Sequence, residues 1–143
     1  MKVLSLFFVV TSTFAVSPSW AGETPYARTC RLDGGSLWLV SVQSDLDTPL
    51  CRFGSAAIGA AAYANYRWSK QETAAVIAYK AQNQSSNADS ICENFGANAI
   101  QTQDSNSATW SLCEFGDGSV IEANTLARGF NSPANHSLSK NLN

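Results

Sequence analysis

Four cysteines are the residues of this chain with the clearest chemical potential, since thiols form disulfides, bind zinc or act as nucleophiles. They stand at Cys30, Cys51, Cys92 and Cys113. Zinc sites use closely spaced ligand pairs such as C-x-x-C, and a nucleophilic thiol needs a histidine base. The cysteines here are far apart, and the single histidine, His136, lies in a polar segment. An even number of cysteines is instead typical of a disulfide framework formed in an oxidising compartment.

Carboxylates are the second group that could do chemistry, as general acids and bases or as calcium ligands. The candidates are Asp33, Asp45, Asp47, Asp104, Asp117 and Glu122. Nothing in their spacing pairs two of them into a hydrolytic site, and the ordered spacing of a calcium loop is missing. Turn formation explains Asp45 and Asp47 equally well. We therefore predict no catalytic residue, no metal ligand and no cofactor, with a carboxylate-based hydrolase as a disfavoured alternative.

An internal repeat relates the two pairs of cysteines. A shift of 62 residues places Cys30 on Cys92 and Cys51 on Cys113. If the two units share a fold, each carries the same bridge, which predicts the pairs Cys30–Cys51 and Cys92–Cys113. A crossed pairing remains the alternative. The same shift also aligns Gly34 with Gly96, Leu50 with Leu112, Phe53 with Phe115, Gly54 with Gly116, and Ala61 with Ala123.

Each unit is predicted to begin with a short helix that ends at its aligned glycine, a residue suited to the left-handed turn after a helix. In the first unit Thr24 precedes Pro25, which is an N-cap residue followed by proline at the first helical position. In the second unit Ser86 and Asn87 offer the same capping oxygens. The first cysteine of each unit is then expected in the last turn of its helix.

A β-hairpin and a second helix are predicted to follow in each unit. Residues 37–42 are apolar on both alternating faces, which predicts a central strand covered on both sides. Residues 56–68 are Ala-rich and predicted to be partly helical, whereas 120–128 suit either a helix or a strand. The other strands are expected at 99–103, 50–53 and 110–115, with connecting loops at 43–49 and 103–109.

The predicted fold is α+β, with two tandem disulfide-closed helix-hairpin-helix units, αββα-like, that share one core. A capping-box pattern from Ser69 to Glu72 predicts a helix between the units. The Asn- and Ser-rich end of the chain is expected to be disordered. The domains are accordingly a signal peptide at 1–21, a first repeat at 22–68, a connecting helix at 69–85, a second repeat at 86–130 and a disordered tail at 131–143.

The amino-terminal stretch has the layout of a cleavable secretory signal, with Lys2, an apolar run, and small residues at Ser19 and Ala21. We predict cleavage after Ala21 and a periplasmic or secreted location. A membrane anchor is the alternative, but the apolar run is shorter than the roughly 20 residues needed to cross a bilayer. No later segment reaches that length, so we expect no stable membrane insertion after cleavage.

The charge balance bears on the partners of the exported part. After residue 21 the chain keeps 8 basic and 11 acidic residues, without any basic run. Nucleic acids and anionic membrane surfaces select clustered Lys and Arg. We therefore expect no nucleic acid partner.

The second unit resembles a known family through its motif residues. Cys92 and Gly96 lead to the run Cys113-Glu114-Phe115-Gly116-Asp117-Gly118-Ser119, with Glu122 and Arg128-Gly129 beyond. This pattern resembles the small bacterial envelope domain of unknown function that is often labelled a hemolysin. The first unit resembles a diverged copy, with Ser55-Ala56 where the family has D-G. The resemblance implies an αββα-like unit in the bacterial envelope and supplies no catalytic residues.

We expect a non-enzymatic binding protein of the bacterial envelope, whose partner is another protein or an envelope component. An inhibitor of another protein is one form of this function, and a host-facing accessory or virulence factor is the alternative. A rigid disulfide-closed scaffold motivates the expectation, because it holds loops in a fixed shape at low entropic cost. Trp110, Glu114 and Asp117 of the second unit form the predicted binding surface.

Overall fold

Six antiparallel strands close into a β-barrel, and helices pack on its outside. The computed structural model describes residues 24–42 and 46–143, so the predicted signal peptide and part of the loop 43–49 lie outside the described residues. The elements of the first half are α1 (Pro25–Leu32), β1 (Ser36–Val42), β2 (Leu46–Phe53), β3 (Ala56–Gly59), α2 (Ala60–Ser69) and α3 (Ala74–Ala81). Those of the second half are α4 (Ile91–Asn94), β4 (Asn98–Gln103), β5 (Thr109–Glu114), β6 (Val120–Glu122), α5 (Ala123–Arg128), a 3-10 turn (Pro133–Asn135) and α6 (His136–Asn141).

Helix α1 begins at a side-chain cap, as predicted. Thr24 Oγ1 accepts a hydrogen bond from Ala27 N at 3.3 Å. Pro25 follows in the first turn, where its missing N–H would have had no intrahelical partner. Beyond the helix end Gly34 has a φ of +84°, a left-handed conformation that glycine adopts without strain. Local chemistry therefore sets both ends of this helix.

The corresponding helix of the second half, α4, is a single turn. It follows Ser90, so the predicted caps Ser86 and Asn87 are wrong. Asn87 closes a local turn instead, because its Oδ1 accepts a hydrogen bond from Asp89 N at 2.9 Å. Cys92 still lies on this helix, as predicted.

The two halves contribute three strands each, in the order β1-β2-β3-β6-β5-β4 around the barrel. They meet at two antiparallel seams. Ser41 of β1 pairs with Gln103 of β4, and Ile58 of β3 pairs with Ile121 of β6. Each seam therefore joins a residue to its equivalent in the other half, at a shift of 62 for the first pair and 63 for the second. The shift grows by one because the segment from Phe115 to Ile121 is one residue longer than the equivalent segment from Phe53 to Ile58.

A small apolar core fills the inside of the barrel, and a larger one lies between the barrel and its helices. Residues directly opposite one another in an antiparallel pair share a face of the sheet, which fixes which side chains point inward. The inner core consists of Val40, Leu50, Ala57, Leu112 and Val120. The outer core takes residues from both halves, among them Phe53, Ile58, Tyr63, Phe115, Ile121 and Leu126.

Both predicted disulfides are confirmed. Cys30 pairs with Cys51 and Cys92 with Cys113, each across 21 positions of sequence. In each half the bond ties the first helix to the outer face of the second strand, in the outer core beside a buried phenylalanine. The crossed alternative is excluded.

The predicted helix-hairpin-helix, αββα-like fold is wrong, because each half contains a third strand and the strands close into a barrel. Strands β3 and β6 occupy positions where the sequence analysis allowed a helix to begin. Every residue of both strands is buried, so neither shows the alternation of a half-exposed strand. A short apolar run without alternation does not distinguish a strand from a buried helix. The two strands are defined by their pairing partners, which lie far away in the sequence.

Strand β1 is not covered on both sides, contrary to prediction. Trp38 and Val40 point into the barrel, but Leu37 and Leu39 on the other face are 40% and 46% exposed. The apolar pattern of this strand thus reflects one buried face and one exposed face.

The connecting helix is shorter than predicted and lacks its capping box. Ser69 ends α2, where its Oγ donates to the carbonyl of Asn65 at 2.9 Å. Glu72 pairs with Lys80 instead, at 2.7 Å. Helix α3 is capped from another part of the chain, as described below.

Residues 131–143, for which we predicted disorder, form the 3-10 turn and helix α6. Leu138 and Leu142 are completely buried in the outer core. They are four residues apart, so they lie on one face of the helix. Between them Ser139 Oγ lies 2.7 Å from the hydroxyl oxygen of Tyr79. The disorder prediction was wrong because it followed the mostly polar composition of the segment and overlooked these two leucines on one helix face.

Candidate functional site

The structure separates the three residues of the predicted binding surface. Trp110 and Glu114 both point into the barrel from β5, but they lie toward opposite ends of that strand. Asp117 lies in the turn between β5 and β6. The three side chains therefore do not form one surface.

Asp117 and Ser119 hold helix α3 against the second half of the chain. Asp117 Oδ2 accepts a hydrogen bond from Ala74 N at 2.8 Å, and Ser119 Oγ accepts one from Ala75 N at 3.0 Å. Asp117 Oδ1 also accepts from the backbone N–H and the hydroxyl of Ser119. Partial burial raises the pKa of Asp117, but the hydrogen bonds from Ala74 and Ser119 together outweigh it and lower the pKa. The D-G-S motif is thus a helix cap, which explains its residue types without a ligand.

Two tryptophans close one end of the barrel, which we call the aromatic mouth (Trp38, Arg52, Trp110 and Glu122). The rings of Trp38 and Trp110 meet edge to face, with centroids 4.7 Å apart. Arg52 Cζ lies 5.0 Å from the centroid of the Trp38 ring, which is within the range of a cation–π contact. The space left here is only about 100 Å³.

Asp104 fixes the orientation of Trp110. Its Oδ2 accepts a hydrogen bond from Trp110 Nε1 at 2.9 Å, and its Oδ1 accepts from the backbone N–H groups of Asn106 and Ala108. The hydrogen bond from Trp110, followed by these backbone bonds, lowers the pKa of Asp104. The hairpin loop 103–109 therefore serves to hold the ring that fills this mouth.

Glu122 is almost completely buried at the aromatic mouth and caps helix α5. Its Oε1 accepts from Asn124 N at 3.0 Å, and its Oε2 accepts from Thr125 N and from the Thr125 hydroxyl. Asn124 Nδ2 donates a further bond to Oε1. A carboxylate with this many donors is fully used in the fold.

The opposite end of the barrel is a cleft of about 360 Å³ that we call the open mouth (Thr48, Gly59, Ile100, Glu114 and Val120). The first turn of α2, Pro49 of β2 and the turn before β6 complete its walls. Small-molecule sites in proteins span about 300–1,000 Å³, so a cleft of this size suits a small group or one side chain. Of the residues that the structure describes, Glu114 is the only ionisable one that lines it.

The two mouths are built from equivalent positions of the two halves. One mouth is filled and the other is open because the side chains at these positions differ in size. At three pairs of equivalent positions the aromatic mouth has the larger side chain. Thus Trp38 corresponds to Ile100, Trp110 to Thr48, and Glu122 to Gly59.

One pair of equivalent positions also reverses its charge, because Arg52 of the aromatic mouth corresponds to Glu114 of the open mouth. Arg52 has internal partners: it stacks on Trp38, and its Nε donates to the carbonyl of Gly54 at 2.9 Å. The carboxylate of Glu114 is half-buried and makes no hydrogen bond or ion pair with any residue in the described ranges. Of the three predicted surface residues, Glu114 alone is free to meet a ligand.

No protein-family model, curated protein or solved structure matches this chain. The assignment of a site therefore depends on its own geometry. Sequence reasoning did not single out the other residues of the open mouth, which are Thr48, Gly59, Ile100 and Val120, and it included Thr48 only within the predicted loop 43–49. A comparison of equivalent positions for residue size across the repeat would have indicated three of them.

The remaining carboxylates and the histidine do not converge on a second site in the described part of the chain. No group of three or more His, Cys, Asp and Glu side chains there is arranged to hold a metal ion. Asp33 binds Arg67 at 2.8 Å and accepts from the hydroxyl of Tyr63 at 2.7 Å. Burial, followed by that hydrogen bond, raises the pKa of Tyr63, so its hydroxyl remains a donor. Of the other candidates, Asp47 accepts from the hydroxyl of Ser41, and Asp45 lies outside the described residues.

A second depression, about 680 Å³, lies beside α6 and includes His136 and Lys140. Its polar floor is already used in packing. Ser139 Oγ donates to the carbonyl of Phe130 at 2.6 Å and also meets the hydroxyl of Tyr79. This surface serves to hold α6 in place, and the open mouth is the better candidate.

Proposed function

We propose that this chain is a non-enzymatic binding protein of the bacterial envelope, periplasmic or secreted, and that the open mouth receives its partner. The observation that carries the proposal is the contrast between the two mouths. Equivalent positions fill one end of the barrel with two tryptophans, and they leave the other end open around an unpartnered carboxylate. A half-buried carboxylate without an internal partner is available to an external one.

The structural use of the other carboxylates supports binding over catalysis. Asp33, Asp104, Asp117 and Glu122 each accept hydrogen bonds that hold a helix or a ring in place. Hydrolysis by carboxylates needs a pair on either side of one substrate bond. In the open mouth Glu114 has no second acid beside it among the described residues.

The covalent structure supports an oxidising location. Disulfides persist in secreted and periplasmic proteins and are rare in the cytosol. Both bonds lie in the core, where each anchors a helix to the barrel. Within the described ranges, none of the helices combines the length and the apolar character that crossing a membrane would take.

A blocked open mouth provides the test. Ile100→Trp copies the filled mouth, because Trp38 is the residue at the equivalent place. Ile77→Trp is the matched control, since Ile77 is 53% exposed on α3 and does not line the cleft. The full chain and both variants are coupled to beads and exposed to periplasmic extract, and retained molecules are quantified by mass spectrometry.

We expect a partner that the unchanged chain and Ile77→Trp retain and that Ile100→Trp loses. Circular dichroism and the melting temperature establish that Ile100→Trp is folded. A partner retained equally by all three proteins would place recognition elsewhere, and repeated failure to retain any partner would contradict the proposal. A third variant, Trp110→Thr, opens the aromatic mouth. Loss of the partner in that variant alone would place binding at the aromatic mouth and would contradict the proposal.

A further inference from the structure

The chemistry of the open mouth selects the charge of its ligand. Among the described residues Glu114 is its only ionisable group, and none of the Lys, Arg or His side chains in those ranges lines the cleft to receive an anion. A carboxylate in a partly dehydrated cleft pairs more strongly with a cation than the same carboxylate in water. The formal charge of the whole chain, −2, also attracts a basic partner.

The walls of the cleft select an aliphatic body for the ligand. Ile100 and Val120 belong to or pack against the inner core, and Pro49 and Ala62 add apolar surface. No aromatic ring from residues 24–42 or 46–143 lines this mouth, in contrast to the tryptophans of the other mouth. Sugars are commonly bound by stacking on such rings, and a flat aromatic ligand would find no stacking partner either. A slender apolar chain fits these walls better.

The other polar side chains leave little capacity for a polar ligand. Ser119 already accepts a hydrogen bond from Ala75 N and donates one to Asp117. The hydroxyl of Thr48 has no hydrogen-bond partner in the described ranges, so it is available as an acceptor in addition to Glu114. The mouth thus offers two acceptors, a carboxylate and a hydroxyl, and its remaining walls are mostly apolar.

We infer that the open mouth binds an alkylammonium group, with Glu114 as its counter-ion and with the alkyl stem along Ile100 and Val120. This inference depends on the proposed function, because it names the ligand of the same site. A lysine side chain of a protein presents this chemistry on a flexible four-carbon stem, and a free alkylamine presents it without a backbone. Both sources satisfy the site, and the experiment separates them.

The test titrates the full chain with three probes and follows the methyl signals of Ile100 and Val120 by NMR. The probes are acetyl-lysine amide, pentylamine, and acetyl-norleucine amide, which keeps the stem but has no ammonium group. We expect saturable shifts with an ammonium probe and binding weaker by about tenfold or more with the norleucine probe. Stronger binding of acetyl-lysine amide than of pentylamine indicates a protein source, and the reverse order indicates a free amine.

The decisive variant is Glu114→Gln, which keeps the shape of the side chain and removes its charge. We expect it to weaken the ammonium probe by about tenfold to a hundredfold, and the norleucine probe not at all. Glu93→Gln is the matched control, because Glu93 is an exposed carboxylate on α4 that does not line the cleft. Equal binding by Glu114→Gln and the unchanged chain would overturn the inference.

Failure of this inference and failure of the proposed function give different results. If no ammonium probe binds while Ile100→Trp still loses the extract partner, the mouth is a binding site and the inferred ligand chemistry is wrong. If no probe binds and no partner depends on Ile100, both are wrong.

Discussion

Three carboxylates that lie close together in the sequence differ in their hydrogen bonds. Asp117 and Glu122 are saturated by backbone and hydroxyl donors, each at the start of a helix. Glu114 lies only a few positions away from both and has no such partner. Its predicted role in binding stays a prediction, now with a defined cleft around it.

Asp117→Ala is expected to lower the free energy of unfolding by about 1 kcal/mol at neutral pH, because helix α3 loses the cap on Ala74 N–H. Urea denaturation measures the change. Asp89→Ala is the control, since Asp89 is exposed and its side chain caps nothing in the described ranges. Equal stability of Asp117→Ala and Asp89→Ala would show that the cap contributes nothing.

The difference in stability between the unchanged chain and Asp117→Ala is also expected to depend on pH. The pKa of Asp117 is lowered in the folded chain, so its contribution is complete above the unfolded value of about 3.9 and is lost as the pH falls through the folded value. The stability difference between the unchanged chain and Asp117→Ala should therefore shrink below about pH 4. A difference that persists unchanged to pH 2 would contradict a charged cap.

Sequence reasoning at this scale succeeded where the chemistry is local. Thr24 followed by Pro25 was sufficient to predict the start of α1, since both partners of the cap lie within one turn. The role of Asp117 was not accessible in this way. Its partner, Ala74, is 43 positions away, and nothing near Asp117 indicates a helix that needs a cap.

Each disulfide fastens one helix to one strand, so the two bonds are expected to act on separate elements. Removing the pair Cys30 and Cys51, or the pair Cys92 and Cys113, should each lower the free energy of unfolding by about 3 kcal/mol, from the entropy of a loop of this length. Double replacement by alanine leaves no free thiol, and urea unfolding measures both variants. An unchanged midpoint in either double variant would contradict a stabilising role for that bond.

Elements were predictable when their signal lay in their own residues. The two hairpins follow from short strand-forming runs separated by turn residues, and helix α1 follows from its cap and its terminal glycine. Strands β3 and β6 do not, because their identity depends on partners across the barrel. Helix α6 was hidden for a similar reason: only Leu138 and Leu142 interrupt a polar segment, and their burial depends on a groove formed by the rest of the chain.

At the scale of the molecule the two halves should unfold together. The barrel closes only when both seams are paired, and the outer core takes side chains from both halves. We expect native-state hydrogen exchange to give the same opening free energy for the amides of Leu50 and Leu112, which occupy equivalent places in the inner core. If one of these amides opened with a free energy several kcal/mol lower, the halves would be independent units.

The pairing of each seam residue with its own equivalent is the geometry of an isologous interface, the kind formed by two identical subunits around a twofold axis. In such a dimer the two ends of the barrel would be the same, because any side chain added to one would appear at the other. A single chain is free of that constraint. Tryptophan can fill one end without obstructing the other, so the two ends of one barrel are free to diverge in sequence and in shape.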